Sequence, residues 1–338
     1  MGVDVKIALL VIASNEAAYI AEFVYHHLRH GFAPISIYVN NTDDRTVEIL
    51  AAISKANSDI QFLLEDPANP IPKSKDFQPT AYRRLVDALG VSADYFAALD
   101  VDEFWCPAGL TASVQSYLAD VGQPDVACAN WVMPVNDERP FASLADQDVV
   151  GHINSHIKSI WRADLPVRRF HPHHPVLDGA VTTHVASGHR LGSSNSKTVA
   201  MPTSVGPAFV YHRMHRSLIE YLALLSRGRP RSTEVFKTNR AGYRYYINKK
   251  FASQLDAPKD ARARWAAGYR EFFKYCKIDD LIRAARLDTI DRAVAAVETY
   301  RALDDDTKLY YEQPFRLVNF EKALAQAEAA RAEIMANA

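Results

Sequence analysis

Two aspartates separated by a single residue, Asp100 and Asp102, are the side chains whose type and spacing most clearly suit chemistry. They end the apolar run Tyr-Phe-Ala-Ala-Leu, and Glu103 follows them directly. In an extended strand, residues i and i+2 share a face, so both carboxylates can turn toward one point where the strand ends. Mg²⁺ or Mn²⁺ suits such a point, because proteins hold these ions with one or two carboxylates plus water and substrate phosphate oxygens. A solvated strand end is the alternative, since Asp-x-Asp by itself is common.

Strands and helices alternate along the first hundred residues and must position these carboxylates. Strands are predicted just before Asp100 and over 6–13, 35–39 and 60–64, and helices over 17–30, 45–55 and 78–89. Such alternation is typical of a mostly parallel sheet with right-handed crossovers, which binds ligands beyond the carboxyl ends of its strands. We therefore expect an α/β fold with a twisted, mostly parallel sheet flanked by helices.

Polar side chains follow three of these predicted strands at the edge where ligands bind. The clusters are Asn15 with Glu16, residues 40–44, and Asp100 with Asp102. Because the carboxyl ends of parallel strands meet at one edge, the three clusters should line one crevice. Simple turn and cap chemistry is the alternative for 41–43, since Asn, Thr and Asp also favour turns and helix caps.

Several motifs occur in order over about residues 5–230. They are NEAAYIAEFVYHH, IYVNNTDD, LDVDEFW, HIKSIWR, HPHHP and YHRMHRSLIEY. Together they resemble the nucleotide-sugar domain of GT-A glycosyltransferases, most closely the family-2-like and family-92-like bacterial enzymes. The resemblance implies a GT-A fold that transfers a sugar from a nucleotide-sugar donor, with a UDP-sugar favoured. The implied acceptor is a hydroxyl of a glycan, a polysaccharide or a lipid-linked glycan.

The resemblance also implies a metal site and a donor site. Asp100 would face the ribose and the metal, Asp102 would bind Mn²⁺ or Mg²⁺ directly, and His212 would be the third ligand, with a core or surface histidine as the alternative. The nucleotide-sugar would be bound by Asn15, Glu16, Asn40, Asn41, Asp43, Gln78, Tyr82, Asp100 and Lys158. Lys158 would counter the charge of the diphosphate. Ordinary helix packing is the alternative for Gln78 and Tyr82, and a surface lysine is the alternative for Lys158.

Four further residues are assigned to the acceptor or to phosphate by the same resemblance: His171, His173, His174 and Arg216. A structural zinc site usually adds cysteines or a strictly spaced second pair of ligands, and the sequence around these histidines has neither. The histidines are therefore interpreted as binding residues rather than zinc ligands.

Asp137 and Glu138 follow a strand-like run and are the candidate catalytic residues. An inverting transferase needs a general base to take the proton of the acceptor hydroxyl, and a carboxylate commonly serves. A polar surface turn is the alternative for this pair, and a retaining enzyme needs no such base. The stereochemistry of transfer stays open.

Several positions depart from the family pattern, among them Leu224 and Leu225, which occupy a region where a Lys is usual. Asn40 stands where the broader family often has an Asp that reads the base, and Arg213 follows His212 where a Tyr is usual. Residues 227–250 are strongly basic and interleaved with tyrosines. This segment is interpreted as closing over the donor phosphates or docking an anionic acceptor, with a solvated basic face as the alternative.

The composition excludes several classes of protein. The chain has 338 residues with 48% hydrophobic content, enough for a large core. A net charge of −1 argues against general binding to nucleic acid, and no apolar stretch reaches the length of a bilayer span. The cysteines, Cys106, Cys128 and Cys276, are few and widely separated, which fits reduced thiols. We expect a cytoplasmic enzyme, with peripheral contact at the inner face of the membrane left open.

The end of the chain is rich in Ala, Arg and Glu and has apolar residues at helical spacing. We expect a GT-A catalytic domain over 1–255 and a helical extension over 256–338. These helices would pack on the catalytic domain or form a homo-oligomer with a second subunit.

Two other functions remain as alternatives to the transferase. A nucleotidyltransferase would need a basic, Gly-rich loop after the first strand to hold a triphosphate, and Ser14 to Ala17 do not provide one. A non-catalytic glycan-binding module would tolerate the loss of Asp100 or Asp102, whereas a catalyst would not.

Overall fold

The structure is a computed structural model that describes residues 5–72, 74, 76–146, 148–192, 196–227, 234–247, 253–255 and 258–336. Its strands are β1 (Ile7–Ala13), β2 (Phe32–Val39), β3 (Ile60–Leu64), β4 (Tyr95–Asp100), β5 (Glu103–Pro107), β6 (Val126–Pro134), β7 (Val149–Arg162), β8 (Val167–Arg169), β9 (Val176–Leu177), β10 (Thr183–Val185), β11 (Ala208–His212) and β12 (Ser253–Leu255). Its helices are α1 (Ile20–Arg29), α2 (Thr46–Ala56), α3 (Phe77–Leu89), α4 (Val114–Asp120), α5 (Leu218–Ser226), α6 (Lys259–Cys276), α7 (Asp279–Ala302), α8 (Asp305–Tyr310), α9 (Glu312–Phe315) and α10 (Phe320–Ala336).

One large sheet runs through the molecule in the order β3-β2-β1-β4-β7-β6-β11-β5, with β10 paired to β6 and β12 paired to β7. Strands β3, β2, β1 and β4 are parallel, and so are the pairings of β6 with β10 and β11. The antiparallel pairings of this sheet, within the described residues, all involve β5 or β7. The predicted α/β fold, a mostly parallel sheet flanked by helices and followed by C-terminal helices, is confirmed.

Burial on both faces explains why β1 was predictable as a strand. Ile7, Leu9 and Val11 face the core beneath α1 and α2, whereas Ala8 and Leu10 face the core beneath α3. All five side chains are 0% exposed. A strand covered on both faces needs apolar residues at every position, because successive side chains point to opposite faces.

The observed element boundaries differ from the predicted ones by a few residues. The first helix was predicted over 17–30 and begins at Ile20, because residues 17–19 form a turn. The second strand was predicted to begin at 35 and begins at Phe32, which pairs with Ile7 of β1. The third strand has the predicted bounds.

The C-terminal helices pack on α1, α2 and α5 of the rest of the molecule. α7 packs between α5 and α10, where the buried residues include Leu222, Ile290, Ala293 and Ala327. α6 packs on α1, with the ring of Trp265 5.0 Å from that of Tyr25. Within the ranges given above, no helix combines the length and apolar character needed to cross a membrane.

Buried histidines on α1 are bonded in a way that requires the neutral imidazole. His26 Nε2 lies 2.8 Å from the carbonyl oxygen of Trp105, and His26 Nδ1 accepts the indole N–H of Trp265 at 3.2 Å. His27 Nδ1 donates to a carbonyl oxygen of its own helix over 2.8 Å, and His27 Nε2 accepts the backbone N–H of Trp105 at 3.2 Å. Each ring thus donates with one nitrogen and accepts with the other, which a protonated ring cannot do.

Burial lowers the pKa of each histidine in this group. The pKa of His27 falls to about 3, that of His30 to about 4, and that of His26 well below its ordinary value. Each folded-state pKa is therefore below the roughly 6.5 of an unfolded histidine. The stabilisation from these neutral rings is complete at pH values above the unfolded-state pKa. It is lost as the pH falls toward the lower folded-state pKa values.

We predict that mild acid destabilises the fold. Between about pH 7 and about pH 5, the free energy of unfolding should fall by about 2 kcal/mol for each of the three buried histidines. Urea denaturation at a series of pH values measures this slope. In the variant His30→Gln the fall over this pH range should be smaller by about 2 kcal/mol, because the contribution of one buried neutral ring is removed. An unfolding free energy that is constant over this pH range would contradict the neutral, buried state of the cluster.

Candidate functional site

The pairing of β5 with β11 brings Asp102 and His212 together where the parallel strands end. β4 ends at Asp100, and β5 begins at Glu103 after a two-residue turn. Glu103 lies opposite His212 in the antiparallel register, and the Arg213 N–H donates to the Asp102 carbonyl oxygen over 2.7 Å. His212 Nε2 consequently lies 3.6 Å from Asp102 Oδ2, and the two side chains are only 8% and 23% exposed.

Asp102 and His212 stabilise each other's charged form. Burial alone would raise the pKa of the Asp102 carboxyl, but the facing imidazole outweighs burial and holds this pKa well below its usual range. Burial alone would lower the pKa of His212, but Asp102 raises it above the ordinary value. A divalent cation can take the place of the shared proton between such a carboxylate and imidazole.

A buried ion pair supports the turn between β4 and β5 from beneath. Lys158 Nζ lies 2.7 Å from Glu103 Oε2 and 3.5 Å from Asp100 Oδ2. Glu103 Oε2 also accepts the backbone N–H of Asp100 at 2.9 Å. The side chains of Lys158 and Glu103 are 2% and 0% exposed. The ammonium of Lys158, which was predicted to counter the diphosphate, faces these two carboxylates, and the Glu103 carboxylate holds the backbone at Asp100.

Burial in low-polarity surroundings and the charge of each partner shift the pKa values of Glu103 and Lys158. Burial raises the pKa of Glu103 to about 7, although Lys158 acts in the opposite direction. Burial would lower the pKa of Lys158, but Asp100 and Glu103 outweigh it and raise this pKa above its ordinary value. The ammonium of Lys158 therefore stays charged near neutral pH and depends on its carboxylate partners.

The loops after β1 and β2 form one wall of a crevice at the same edge of the sheet. Asn15 Oδ1 accepts the backbone N–H of Asp43 at 2.8 Å, which joins the two loops. Asn15 and Asn41 have φ angles of 55° and 45°, a left-handed conformation that asparagine adopts more readily than most residues. Asn40 is 3% exposed. These four predicted donor residues do lie together, and the Asn15 side chain shapes the wall itself.

Arg227, at the end of α5, is hydrogen-bonded to the loop after β1 and so connects this wall to α5. Its Nη1 donates to the carbonyl oxygens of Ser14 and Asn15 over 3.2 and 2.5 Å. The same nitrogen lies 2.8 Å from Glu16 Oε1. The carboxylate of Glu16, a predicted donor residue, is thus already paired with a buried guanidinium.

Positive charge accumulates around Asp102. Arg216, Arg227, Lys237 and Arg240 all lie within electrostatic reach of its carboxylate, and we refer to these four as the basic cluster. Burial, together with Arg227 and Arg240, lowers the pKa of Lys237 well below its ordinary value. Such mutual repulsion favours an anionic ligand of more than one charge, which would neutralise several of these groups at once.

Arg216 presents unused hydrogen-bond donors in this cluster. Its guanidinium carbon lies 3.6 Å from the ring centre of Tyr19. Its Nε and Nη2 are buried and have no hydrogen-bond partner in the described part of the chain. Other members of the basic segment 227–250 lie outside the described residues: Arg229, Arg231, Lys249 and Lys250.

Trp131 connects His212 to the predicted acceptor histidines. Its ring centre lies 4.2 Å from that of His212, 4.9 Å from that of His156 and 5.1 Å from that of His173. Burial lowers the pKa of His173 to about 3 and that of His171 to about 4. Neutral imidazoles exchange hydrogen bonds with hydroxyl groups but bring no positive charge to a phosphate. This wall therefore suits a hydroxyl-bearing ligand better than an anion.

Asp137 is part of a buried ion-pair network. Arg213 donates to its two carboxylate oxygens from Nε and Nη2 over 2.9 and 2.7 Å, and Arg213 Nη1 lies 3.2 Å from Glu22. Asp137 is 2% exposed, and the neighbouring Glu138 pairs with Arg244 at 3.1 Å. A general base must be free to take a proton, so this geometry does not favour either carboxylate for that role. Arg213, a departure from the family pattern, anchors the chain after β6.

Other predicted site residues fall into two groups. Gln78 Nε2 lies 3.5 Å from Asp100 Oδ1, which places Gln78 beside the crevice. Tyr82 is 0% exposed, and His174 is 2% exposed with its Nδ1 bonded to the Pro175 carbonyl oxygen. Tyr82 and His174 therefore pack in the interior of this structure.

The donor set at Asp102 fits a divalent cation in part. Within the described residues, no group of three His, Cys, Asp or Glu side chains is arranged to hold a metal ion. Asp102 and His212 offer one oxygen and one nitrogen, and a Mn²⁺ or Mg²⁺ ion can take its remaining ligands from water and substrate phosphate. Asp100 of the predicted ligand trio is bonded to Gln78 and Lys158.

The sequence analysis did not predict the buried ion pair of Lys158 with Glu103 or the contacts of the Trp131 ring with the neighbouring histidines. One signal was present, because Lys158 interrupts the otherwise apolar and small run Ile157 to Trp161 of β7. A lysine inside a buried strand requires a carboxylate partner. The identity of that partner depends on the strand order of the sheet, which sequence spacing does not contain.

Comparison with known proteins gives no match to any protein-family model and none to any curated protein. Solved structures that match include HddC from Yersinia pseudotuberculosis, with 11% identity and a TM-score of 0.35 over 62% of this chain and 93% of that chain. The mannosyltransferase PcManGT from Pyrobaculum calidifontis, in complex with GDP-Man and Mn²⁺, has 12% identity and a TM-score of 0.35 over 98% and 87%. WbbM, a bifunctional glycosyltransferase, has 14% identity and a TM-score of 0.26 over 38% and 24%. Similarities at these TM-scores do not support a functional inference, which has to come from the geometry.

We predict that removing the ammonium of Lys158 destabilises the protein strongly. Lys158→Met should lower the free energy of unfolding by about 3 to 5 kcal/mol, because Glu103 is left buried without a counter-charge. In this variant the folded-state pKa of Glu103 should rise further above its unfolded value. The loss of unfolding free energy should therefore increase as the pH rises. Glu103 would stay protonated in the folded state at pH values at which it is ionised in the unfolded state.

Urea denaturation of two further variants tests this assignment. The double variant Glu103→Gln with Lys158→Met should recover part of the loss, because no unpaired charge remains. Lys55→Met, at an exposed lysine of α2, should change stability by at most about 0.5 kcal/mol. A Lys158→Met loss as small as that of Lys55→Met would rule out the buried pair as the support of the turn.

Proposed function

We propose that the protein is a metal-dependent glycosyltransferase that moves a sugar from a nucleotide-sugar donor to a hydroxyl of a glycan, polysaccharide or lipid-linked acceptor. The observation that carries this proposal is the Asp102 and His212 pair at the carboxyl edge of the parallel strands, surrounded by the basic cluster. Parallel α/β sheets bind ligands at this edge. A carboxylate with several cations around it suits a metal-bound diphosphate.

The basic cluster would bind and neutralise the diphosphate of the donor. Negative charge grows on a nucleoside diphosphate as its bond to the sugar breaks, and fixed cations in a partly buried site stabilise such charge more than water does. Arg216, with its free Nε and Nη2, has the planar fork that suits two phosphate oxygens. A divalent cation on Asp102 and His212 would supply Lewis-acid stabilisation of the same leaving group.

The nucleoside would occupy the wall formed by the loops after β1 and β2. Asn15, Asn41 and Asp43 shape this wall, and Asp100 faces it from the end of β4, so that Asp100 would bind the ribose. We favour UDP as the nucleotide, as the motif resemblance implies. The catalytic domain would be 1–255, with 256–338 as its helical extension and a surface for self-association.

The acceptor would bind along the wall of Trp131, His156 and His173. The imidazoles of His156 and His173 have pKa values lowered by burial, so they are neutral partners for sugar hydroxyls. Aromatic rings also offer flat surfaces to the apolar faces of sugars. The protein would act in the cytoplasm or at the inner face of the membrane.

Calorimetric titration with UDP and GDP, each with and without Mn²⁺, tests the donor site. We expect one of the two to bind only with Mn²⁺, and Asp102→Asn to weaken this binding by about 10- to 100-fold because a metal ligand is lost. Asp120→Asn, at an exposed position of α4, is the matched control and should bind as the wild type does. If neither nucleotide binds, the transferase proposal fails and a glycan-binding module becomes the better interpretation.

The basic cluster is tested by comparing UDP with uridine. Arg240→Met should weaken UDP by about tenfold, since one charge-assisted contact to phosphate is removed, and should leave uridine unchanged. Arg264→Met, on the exposed face of α6, is the control for loss of a positive charge. An equal loss for UDP and uridine would show that Arg240 acts on the fold of the crevice rather than on phosphate.

A further inference from the structure

A second cavity lies among the C-terminal helices, and its lining shares no residue with the crevice. It has a volume of about 350 Å³ and is lined by α6, α7, α10 and the segment 139–146 after β6. This volume is at the lower end of the range typical of small-molecule sites. Nothing in the proposed transfer reaction uses these helices for binding.

Arginines outnumber carboxylates by one in the lining of this cavity. Four arginines line it, against three carboxylates: Arg139, Arg270, Arg283 and Arg286, with Asp146, Asp279 and Glu333. Two of these arginines have carboxylate partners, since Arg139 lies 2.5 Å from Asp146 and Arg283 lies 3.0 Å from Asp280. Asp279 lies in the first turn of α7, where the helix dipole stabilises its charge.

The other two arginines have unused hydrogen-bonding capacity. Arg286 has a buried Nε without a hydrogen-bond partner in the described residues, and its guanidinium carbon lies 5.6 Å from the ring centre of Phe141. Arg270 forms no ion pair with any carboxylate of the described ranges. Two arginines that line one cavity without a carboxylate partner among the described residues match a phosphate, which accepts paired hydrogen bonds from guanidinium forks.

The rest of the lining is apolar and aromatic. Phe141, Tyr269, Phe273, Ile282 and Ile334 line the cavity beside the arginines. Inorganic phosphate alone would leave this surface without contact. A ligand that joins a phosphate to a ring-sized body would use both parts of the lining.

We propose that this cavity binds a small phosphate monoester, whose phosphate contacts Arg270 and Arg286 and whose ring-sized body packs on Phe141 and Tyr269. The site is separate from the donor crevice, and this proposal does not depend on the proposed transferase function. The segment 139–146 that forms one wall is held by Arg213, whose Nη2 donates to the Ala142 carbonyl oxygen over 2.6 Å.

Calorimetric titration of the full-length chain with phenyl phosphate tests this site. We expect one binding event with a dissociation constant on the order of a millimolar or tighter, and much weaker binding of phenol and of inorganic phosphate. Arg286→Met and Arg270→Met should each weaken phenyl phosphate by about tenfold. Arg264→Met, on the same helix as Arg270 and outside the cavity, should stay within about twofold of the wild type.

The variants also separate this cavity from the crevice. Arg270 is exposed, so Arg270→Met should keep the unfolding midpoint of the wild type and remain informative if Arg286→Met does not fold. The proposal is overturned if wild-type protein does not bind phenyl phosphate. It is also overturned if Arg216→Met abolishes binding while Arg270→Met leaves it unchanged, because the ligand would then occupy the basic cluster. A failed nucleotide titration has no bearing on either outcome.

Discussion

The ion pair of Lys158 with Glu103 is the interaction on which the crevice depends. Lys158 lies in β7, Glu103 begins β5, and both side chains are nearly inaccessible to water. Since an isolated buried charge is very unfavourable, removing either partner should destabilise the protein strongly. Glu103 also bonds the backbone N–H of Asp100. The position of the whole turn, including Asp102, thus depends on this buried pair.

A second buried ion-pair network fixes the position of the chain on the other side of His212. Arg213 bonds Asp137, Glu22 and the Ala142 carbonyl oxygen, and the backbone N–H of Leu144 donates to Glu22. Burial raises the pKa of Glu22, and Arg213 counters this effect. The segment after β6 is therefore fastened to α1 and to the end of β11. His212 is placed by the strand register and kept in place by the residue that follows it.

Much of the fold could be predicted from the sequence because its determinants are local. The apolar run of β1, the helical spacing in α1 and the polar residues after each strand are visible within a dozen positions, and their alternation implies the parallel half of the sheet. The approach of His212 to Asp102 came from motif resemblance rather than spacing. The roles of Asp137 and Lys158 could not be predicted, because their partners Arg213 and Glu103 are 76 and 55 positions away. A carboxylate in a polar turn and one in a buried ion pair have the same local sequence.

The positive charges of the basic cluster lie close enough together to repel one another. Burial, together with repulsion from Arg227 and Arg240, lowers the pKa of Lys237, and the carboxylate of Asp102 offsets only part of the positive charge of the basic cluster. A cation on Asp102 and His212 would remove that offset and increase the repulsion unless an anion arrived with it. Metal and diphosphate would therefore favour each other's binding, because each neutralises the charge that opposes the other. Such mutual dependence follows from the positions of a few charged side chains and needs no movement of the backbone.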